Sequence, residues 1–407
     1  MRIVSPAAAA GLAAPGDAIY IAGCTAEPSI ILDAVEADPE LWRGIHLYGT
    51  FIPGVNQLDY TRFGTSCKVS CLFPTPALRR GANPDSLEIV PMTYSQWSDY
   101  LRRDSDTRFA YVQVSQPNAN GQVSLGLAAD FIPALLDTAC RLIGIINPGM
   151  PYLSGSIDVP VERFDVFVES DHPLPEFADP EPDETMRLIA DNVASLLRAG
   201  DVLQLGIGKL QPAVLQSLSG LSNLGLHGGM ITKAALDLGP DKFSKGVTTG
   251  VALGQHSFYA DTARFERVQF KPVSYTHEQS VLAGIDQFVA INSVLEVDLR
   301  GDVNAEYIGG TQVTALGGMP DFINGASRSK GGRSILALPS TTRDMKTSRI
   351  VQRLSAEHPA SIPRADVQFV VTEYGVADLT QASVTDTAQR LATIAHPAFR
   401  DSLLAGA

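Results

Sequence analysis

Asp201–Leu218 reads DVLQLGIGKLQPAVLQSL, and it decides the fold class. A short apolar run ends in glycines spaced by one residue, and a helical pattern follows at once. That succession is the strand–loop–helix unit of an α/β protein with mostly parallel strands. The same alternation recurs on both sides. Upstream, DAIYIAG (Asp17–Gly23) reads as a strand closing on glycine, with a helix over Ser29–Ala37. Ile45–Tyr48, Phe109–Val114 and Phe164–Val168 read as further strands, and Phe131–Asn147 as a helix passing into a buried strand. Downstream, the strand pattern returns at Phe288–Ile291, Ser334–Leu338 and Val367–Val371.

Between the two series lies SDHPLPEFADPEPDE (Ser170–Glu184), dense in proline and acidic residues. Proline removes backbone donors and favours extended chain, so this segment predicts a linker. An amphipathic helix over Thr185–Leu197 follows it. The length of 407 residues suits two cores better than one. The expectation is therefore two α/β domains, 1–178 and 179–407.

Composition narrows the function. Hydrophobic residues make up 45% and charged residues 18%, without a disorder signature. The net charge is −13 and no Lys/Arg-rich run is present, which argues against nucleic acid or an anionic membrane surface as partner. The opening MRIVSPAAAAGLAAPGD lacks the charged start and apolar core of a signal peptide. No apolar run approaches the ~20 residues of a membrane span. Cys24, Cys67, Cys71 and Cys140 form no zinc-ligand pattern and read as structural thiols in a reducing cytoplasm.

Two segments carry candidate chemistry. In QLGIGKLQPAVLQSL, Gly206 and Gly208 bring backbone N–H groups to a strand end, where an oxyanion or phosphate is stabilised. The run is neither a P-loop nor a full dinucleotide fingerprint, and a plain tight turn is the competing explanation. TALGGMPDFINGASRSKGG (Thr314–Gly332) reads as a glycine-rich loop, in which Gly317 and Gly318 admit a bulky ligand. Arg328, Lys330 and Arg333 supply charge for phosphates, against the alternative of solvated surface cations.

With AINSVLEVDLRGDVNAE (Ala290–Glu306), ILALPSTT (Ile335–Thr342), VVTEYGVADL (Val370–Leu379) and IAHPAFRDSL (Ile394–Leu403), these segments resemble the acetyl-CoA hydrolase/transferase branch of the class I CoA transferases. VQVSQPNANGQVSLG (Val112–Gly126) and INPGMP (Ile146–Pro151) extend the resemblance into the first half. It implies two open CoA-transferase-type α/β domains with the acyl-CoA site between them, coenzyme A as substrate or product, no covalently bound cofactor, and a homodimer or larger homo-oligomer. It also implies a nucleophilic glutamate that attacks the thioester and passes through glutamyl-CoA, with backbone N–H groups stabilising the acyl oxygen.

That glutamate stands immediately before the methionine in the matching stretch. Here the stretch is LHGGMITKAALDL (Leu226–Leu238), and the position is Gly229, after His227 and Gly228. From Leu224 to Asp237 the only carboxylate is Asp237 itself. The asparagine of a second family motif corresponds to His277 in YTHEQSVLAG. The residues left for chemistry are His277, Glu278, His227 and Glu373, with His256 a weaker candidate. A histidine titrates near neutral pH and serves as a general base, although neighbours on a strand, as His277 and Glu278 would be, face opposite sides. Structural roles compete throughout: a buried or surface histidine for His277, an arginine-paired carboxylate for Glu373.

Three functions remain open at this point. One is an acyl-CoA hydrolase or transferase using direct attack. Another is base-catalysed carbon–carbon cleavage, condensation or cyclisation of a thioester through His277. The third is a non-catalytic CoA-binding or assembly protein.

Overall fold

The computed structural model describes residues 1–81 and 85–405. They form two compact units. The first comprises Met1–Ala178, Gly229–Lys233 and Thr248–Thr276, and the second Asp179–Gly228, Ala234–Val247 and His277–Ala407. The chain thus returns to the first unit twice after position 178. A single cut in the sequence does not capture this.

The first unit holds a seven-stranded sheet of β1 (Ala18–Ile21), β2 (His46–Gly49), β3 (Lys68–Cys71), β4 (Leu87–Ile89), β5 (Thr107–Val114), β6 (Arg141–Ile146) and β7 (Phe164–Glu169). Their spatial order is β4-β3-β2-β1-β5-β6-β7, and all neighbours run parallel. Parallel strands covered on both faces read as continuous apolar runs, and Ile19, Leu47, Val69, Phe109 and Ile143 lie in one buried cluster. The chain starts at β1, builds outward to β4, then crosses back to β5 and builds the other way. Such a reversal leaves a crevice at the carboxyl ends of the two central strands.

Six strands of the second unit repeat this plan: β8 (Val202–Leu205), β9 (Gly225–His227), β10 (Phe288–Ser293), β11 (Arg333–Ala337), β12 (Phe369–Thr372) and β13 (Gly375–Asp378). Their order is β9-β8-β10-β11-β12-β13, parallel except for the β12–β13 hairpin. The reversal falls between β8 and β10. Asp201–Leu218 therefore opens the second unit at its switch point, with the helix Leu210–Ser217 after the glycines.

The proline-rich segment is less free than a linker. Within the first unit, His172 C=O accepts from Asn147, Pro175 C=O accepts from Tyr259, and Phe177 N–H donates to Gly254. The helix after it spans Glu184–Ala194 and begins where Asp183 accepts the Met186 N–H, an ordinary N-cap.

Candidate functional site

At the carboxyl ends of β8 and β10, Gln204 and Asn292 face each other with buried side chains. Asn292 donates to Gln204 Oε1 at 2.9 Å, and Gln204 donates to Asn292 Oδ1 at 3.3 Å. Two buried amides that satisfy each other avoid the cost of unpaired polar groups. Gly206 and Gly228 pack beside the pair, where an added Cβ would make ordinary contacts, 3.4 Å from Asn292 Oδ1 and 3.5 Å from Gln204 Cγ. Gly206 does not supply the expected oxyanion donor, since its N–H already bonds to Ile291 C=O at 3.1 Å. Gly208 turns the chain at φ +120°, a conformation that side-chain-bearing residues rarely adopt.

His227 ends β9 and His277 enters the short helix Gln279–Ala283; both are buried. The His277 ring lies 4.4 Å from the Phe322 ring, and His227 meets Phe288 edge-on at 6.0 Å. Gly318 closes over the imidazole so tightly that a Cβ there would sit 2.3 Å from His277 Nε2. Burial lowers the His277 pKa to about 3, with nearby His227 adding to the effect. The imidazole is therefore neutral at physiological pH. It serves as a hydrogen-bond group and is a weak base there. Glu278 is exposed and caps the next helix, accepting from Ser280 N–H and Oγ. A helix start, and not strand alternation, is what separates it from His277.

A cavity of about 600 Å³ opens elsewhere in the second unit, bordered by Lys209, Ser293, Arg343, Arg349, Glu373 and Tyr374 among others. Glu373 follows β12 and pairs with no arginine. Its carboxylate accepts from the Ser340 N–H at 2.9 Å and from Ser340 Oγ at 2.5 Å. Burial lowers the pKa of Arg349 from its usual value. Lys209, which directly follows Gly208, and Glu373 border this one cavity, whereas Gly206 and Gly208 are not part of its lining. His227 and His277 are not part of its lining.

The second glycine segment is corrected most. Met319–Arg328 is a helix, not a loop, and its ten residues span about 15 Å. Gly317 and Gly318 stand at its start, whereas Arg328 and Lys330 are exposed at its far end. Arg328 donates to Gln279 Oε1. Arg333 is buried and ion-paired with Asp201, so it offers nothing to a phosphate. The helix was missed because Gly325 and Pro320 interrupt its pattern; Pro320 sits in the first turn, where no donor is lost. Lys209 and Ser340 lie inside QLGIGKLQPAVLQSL and ILALPSTT but were not singled out there, and Arg349 stands in neither segment.

In the first unit, Gly229 C=O accepts N–H bonds from Gly250 and Val251, both at 3.0 Å. Met230–Thr232 then pairs in parallel with Val251–Leu253. His256 is exposed at a helix start, its N–H bonded to Glu176.

The description of the acetyl-CoA hydrolase/transferase N-terminal domain matches residues 76–176, and that of the C-terminal domain matches residues 254–407. The 4-hydroxybutyrate coenzyme A transferase of Clostridium kluyveri is 31% identical, over 95% of this chain and 92% of that protein. The chain belongs to the acetyl-CoA hydrolase/transferase family. Two solved structures of this fold are similar to it over nearly its whole length. RipA from Yersinia pestis superposes with a TM-score of 0.91 at 28% identity, covering 100% of this chain and 96% of that one. The 4-hydroxybutyrate CoA-transferase from Porphyromonas gingivalis gives 0.80 at 28%, covering 99% and 96%. For this family member, the CoA-transferase-type α/β fold follows from both the topology and these likenesses.

Proposed function

We propose that this chain is an enzyme that acts on an acyl-CoA thioester, by hydrolysis or by direct transfer, without a glutamyl-CoA intermediate. The observation that carries the reading is Gly229, which stands immediately before Met230 where the family resemblance expects the nucleophilic glutamate. Glycine has no side chain to form an anhydride, so the covalent route is closed at this position. The positive-φ turns at Gly208 and Gly317 leave bare backbone in the two segments where the resemblance expects the thioester oxygen to be held. Lys209 and Arg343 border a cavity of about 600 Å³ and provide charge for the phosphates of coenzyme A. Relatives named for 4-hydroxybutyrate and butyrate support a short acyl group.

The buried, neutral His277 favours this reading over base-catalysed carbon–carbon chemistry. A group held neutral down to about pH 3 abstracts protons poorly, but it can orient a carbonyl. Coenzyme A is the expected substrate and product, with no bound cofactor beyond it, and a homodimer is the expected assembly. Four buried free thiols support a reducing, cytoplasmic setting. Among the described residues, no helix is long and apolar enough to cross a membrane.

The test is incubation with acetyl-CoA and butyryl-CoA in heavy-oxygen water, with and without acetate. Hydrolysis places heavy oxygen in the released acid, and direct transfer places the acyl or CoA group on the acceptor. Neither leaves an enzyme thioester. A borohydride-reducible glutamyl-enzyme would refute the reading of Gly229, and absence of any turnover would favour a binding protein.

A further inference from the structure

The cavity of about 600 Å³ in the second unit lies where an open α/β sheet takes its ligands. Lys209 follows β8, Ser293 ends β10, Leu338 follows β11 and Glu373 follows β12, so four neighbouring parallel strands deliver their carboxyl ends to it. In sheets of this kind the ligand sits outside those ends, near the point where the strand order reverses. All of these residues belong to the one unit.

Two arginines border the cavity without an acidic partner. Among the described residues neither Arg343 nor Arg349 makes an ion pair, and the Arg349 side chain makes one long hydrogen bond, from Nη1 to Leu295 C=O at 3.5 Å. Arg349 is half-buried and Arg343 is exposed. Burial lowers the Arg349 pKa and the like charge of Arg343 adds to the effect, with Glu296 opposing it. Two guanidinium groups held near each other with donors to spare suit a phosphate, whose oxygens accept the paired N–H bonds of such a fork. Lys209, by contrast, already shares its charge with Asp183 at 3.0 Å, and both Glu373 oxygens accept from Ser340.

Tyr374 adds a flat apolar surface to the same cavity, and 41% of it is exposed. The Arg400 guanidinium lies over its ring, 5.7 Å from the centroid, and His396 meets the ring edge-on at 5.4 Å and 87°. Arg400 is itself anchored, its Nε donating to Ala395 C=O at 2.9 Å. A ring covered on one face and fixed at its edge keeps the other face for a flat partner, and stacking there costs little side-chain freedom. Leu188 and Met345 are also exposed and border the cavity, so its apolar rim is wider than one ring.

We propose that this cavity is the nucleotide subsite for coenzyme A, with the adenine base stacked on Tyr374 and phosphate oxygens held by Arg343 and Arg349. The assignment rests on the reading that coenzyme A thioesters are what this chain binds. An exposed aromatic ring beside unpaired guanidinium groups matches a ligand that is flat at one end and anionic next to it. These side chains grip the end of the coenzyme farthest from the thioester. They therefore set KM and leave kcat to other groups.

The experiment titrates the full chain with adenosine 3′,5′-bisphosphate by calorimetry, for the parent, Tyr374→Ala, Tyr374→Phe and Arg349→Met, with thermal unfolding to establish that each is folded. The parent is expected to bind it. Tyr374→Ala should bind about 5- to 100-fold more weakly, and Tyr374→Phe, which keeps the ring, should stay within about twofold of the parent. Arg349→Met should weaken the bisphosphate about tenfold and leave binding of adenosine unchanged. In turnover, the losses in Tyr374→Ala and Arg349→Met should appear as a higher KM for acetyl-CoA at unchanged kcat, while acetyl-pantetheine, which lacks the nucleotide, is handled alike by all four proteins. A parent that does not bind the bisphosphate, or folded Tyr374→Ala and Arg349→Met that bind it as tightly as the parent, overturns the subsite while leaving acyl-CoA turnover intact. Bisphosphate binding that these variants lose, in a parent that turns over no acyl-CoA, upholds the subsite and refutes the enzymatic reading.

Discussion

Replacing Arg333 by methionine distinguishes a structural cation from a phosphate ligand. The guanidinium is half of a buried ion pair: side-chain exposure is 8% for Arg333 and 0% for Asp201. Arg333 Nε and Nη2 also donate to Leu196 C=O at 2.9 and 2.7 Å, and Nη1 donates to Gly331 C=O at 3.2 Å. Methionine keeps much of the apolar stem but leaves the Asp201 carboxylate buried, with the Arg198 N–H still donating to it at 2.6 Å. Breaking such a pair from one side costs about 3–5 kcal/mol, because the surviving charge is uncompensated. For a unit of this size each kcal/mol lowers Tm by about 2–4 °C, so Arg333→Met should melt roughly 6–20 °C below the parent. Thermal unfolding by circular dichroism at fixed protein concentration reads the loss. Asp201→Leu combined with Arg333→Met should recover much of it, because an apolar pair of similar volume is tolerated where a lone charge is not. The reasoning fails if Arg333→Met melts within a degree or two of the parent while KM for acyl-CoA rises about tenfold, the pattern of a lost phosphate contact.

Three further outcomes follow from the same geometry. Gly318→Ala puts a methyl group into His277 and Phe322, so overpacking should cost about 1–3 kcal/mol, read as a Tm drop; an unchanged Tm would show that the ring moves aside easily. His277 should make stability fall as pH drops below 6.5, because the unfolded chain takes up a proton that the folded state refuses until about pH 3. The loss should reach about 2 kcal/mol by pH 5 and disappear in His277→Gln; identical pH–stability curves for the two proteins would contradict the assigned burial effect. Gly229→Glu places a carboxylate where the family resemblance expects the nucleophile. Borohydride-sensitive exchange of CoA between acyl-CoA and acetate should then appear, and its absence would show that glutamate at this position is not sufficient.

The fold was legible because its signals are local and repeated. Each apolar run ending in glycine, as at Asp17–Gly23 and Asp201–Gly206, marks a strand delivering its loop to the carboxyl edge of a sheet. Chain reversal at β1/β5 and β8/β10 is not a local property, so the switch points emerge only from the strand order. The candidate site was less legible for a related reason. His227, His277 and the glycines stand in recognisable motifs, but what they do depends on neighbours from other elements. Glu373 looked like an arginine partner and instead holds Ser340. Arg328, Lys330 and Arg333 looked like one cationic loop, until a helix carried the first two away from Gly317 and an acidic partner claimed the third.

Burial weakens His277 as an acid–base candidate, and that sets the role it can play. Taking a group out of water penalises whichever form is charged. For His277 the charged form is the protonated one, so burial strips its proton and weakens it as a base, to a pKa of about 3. A general base works best when its pKa lies near the working pH. The apolar packing around His277 therefore leaves the histidine short of the poise that proton abstraction at neutral pH requires, and suits it to orienting a neighbouring group.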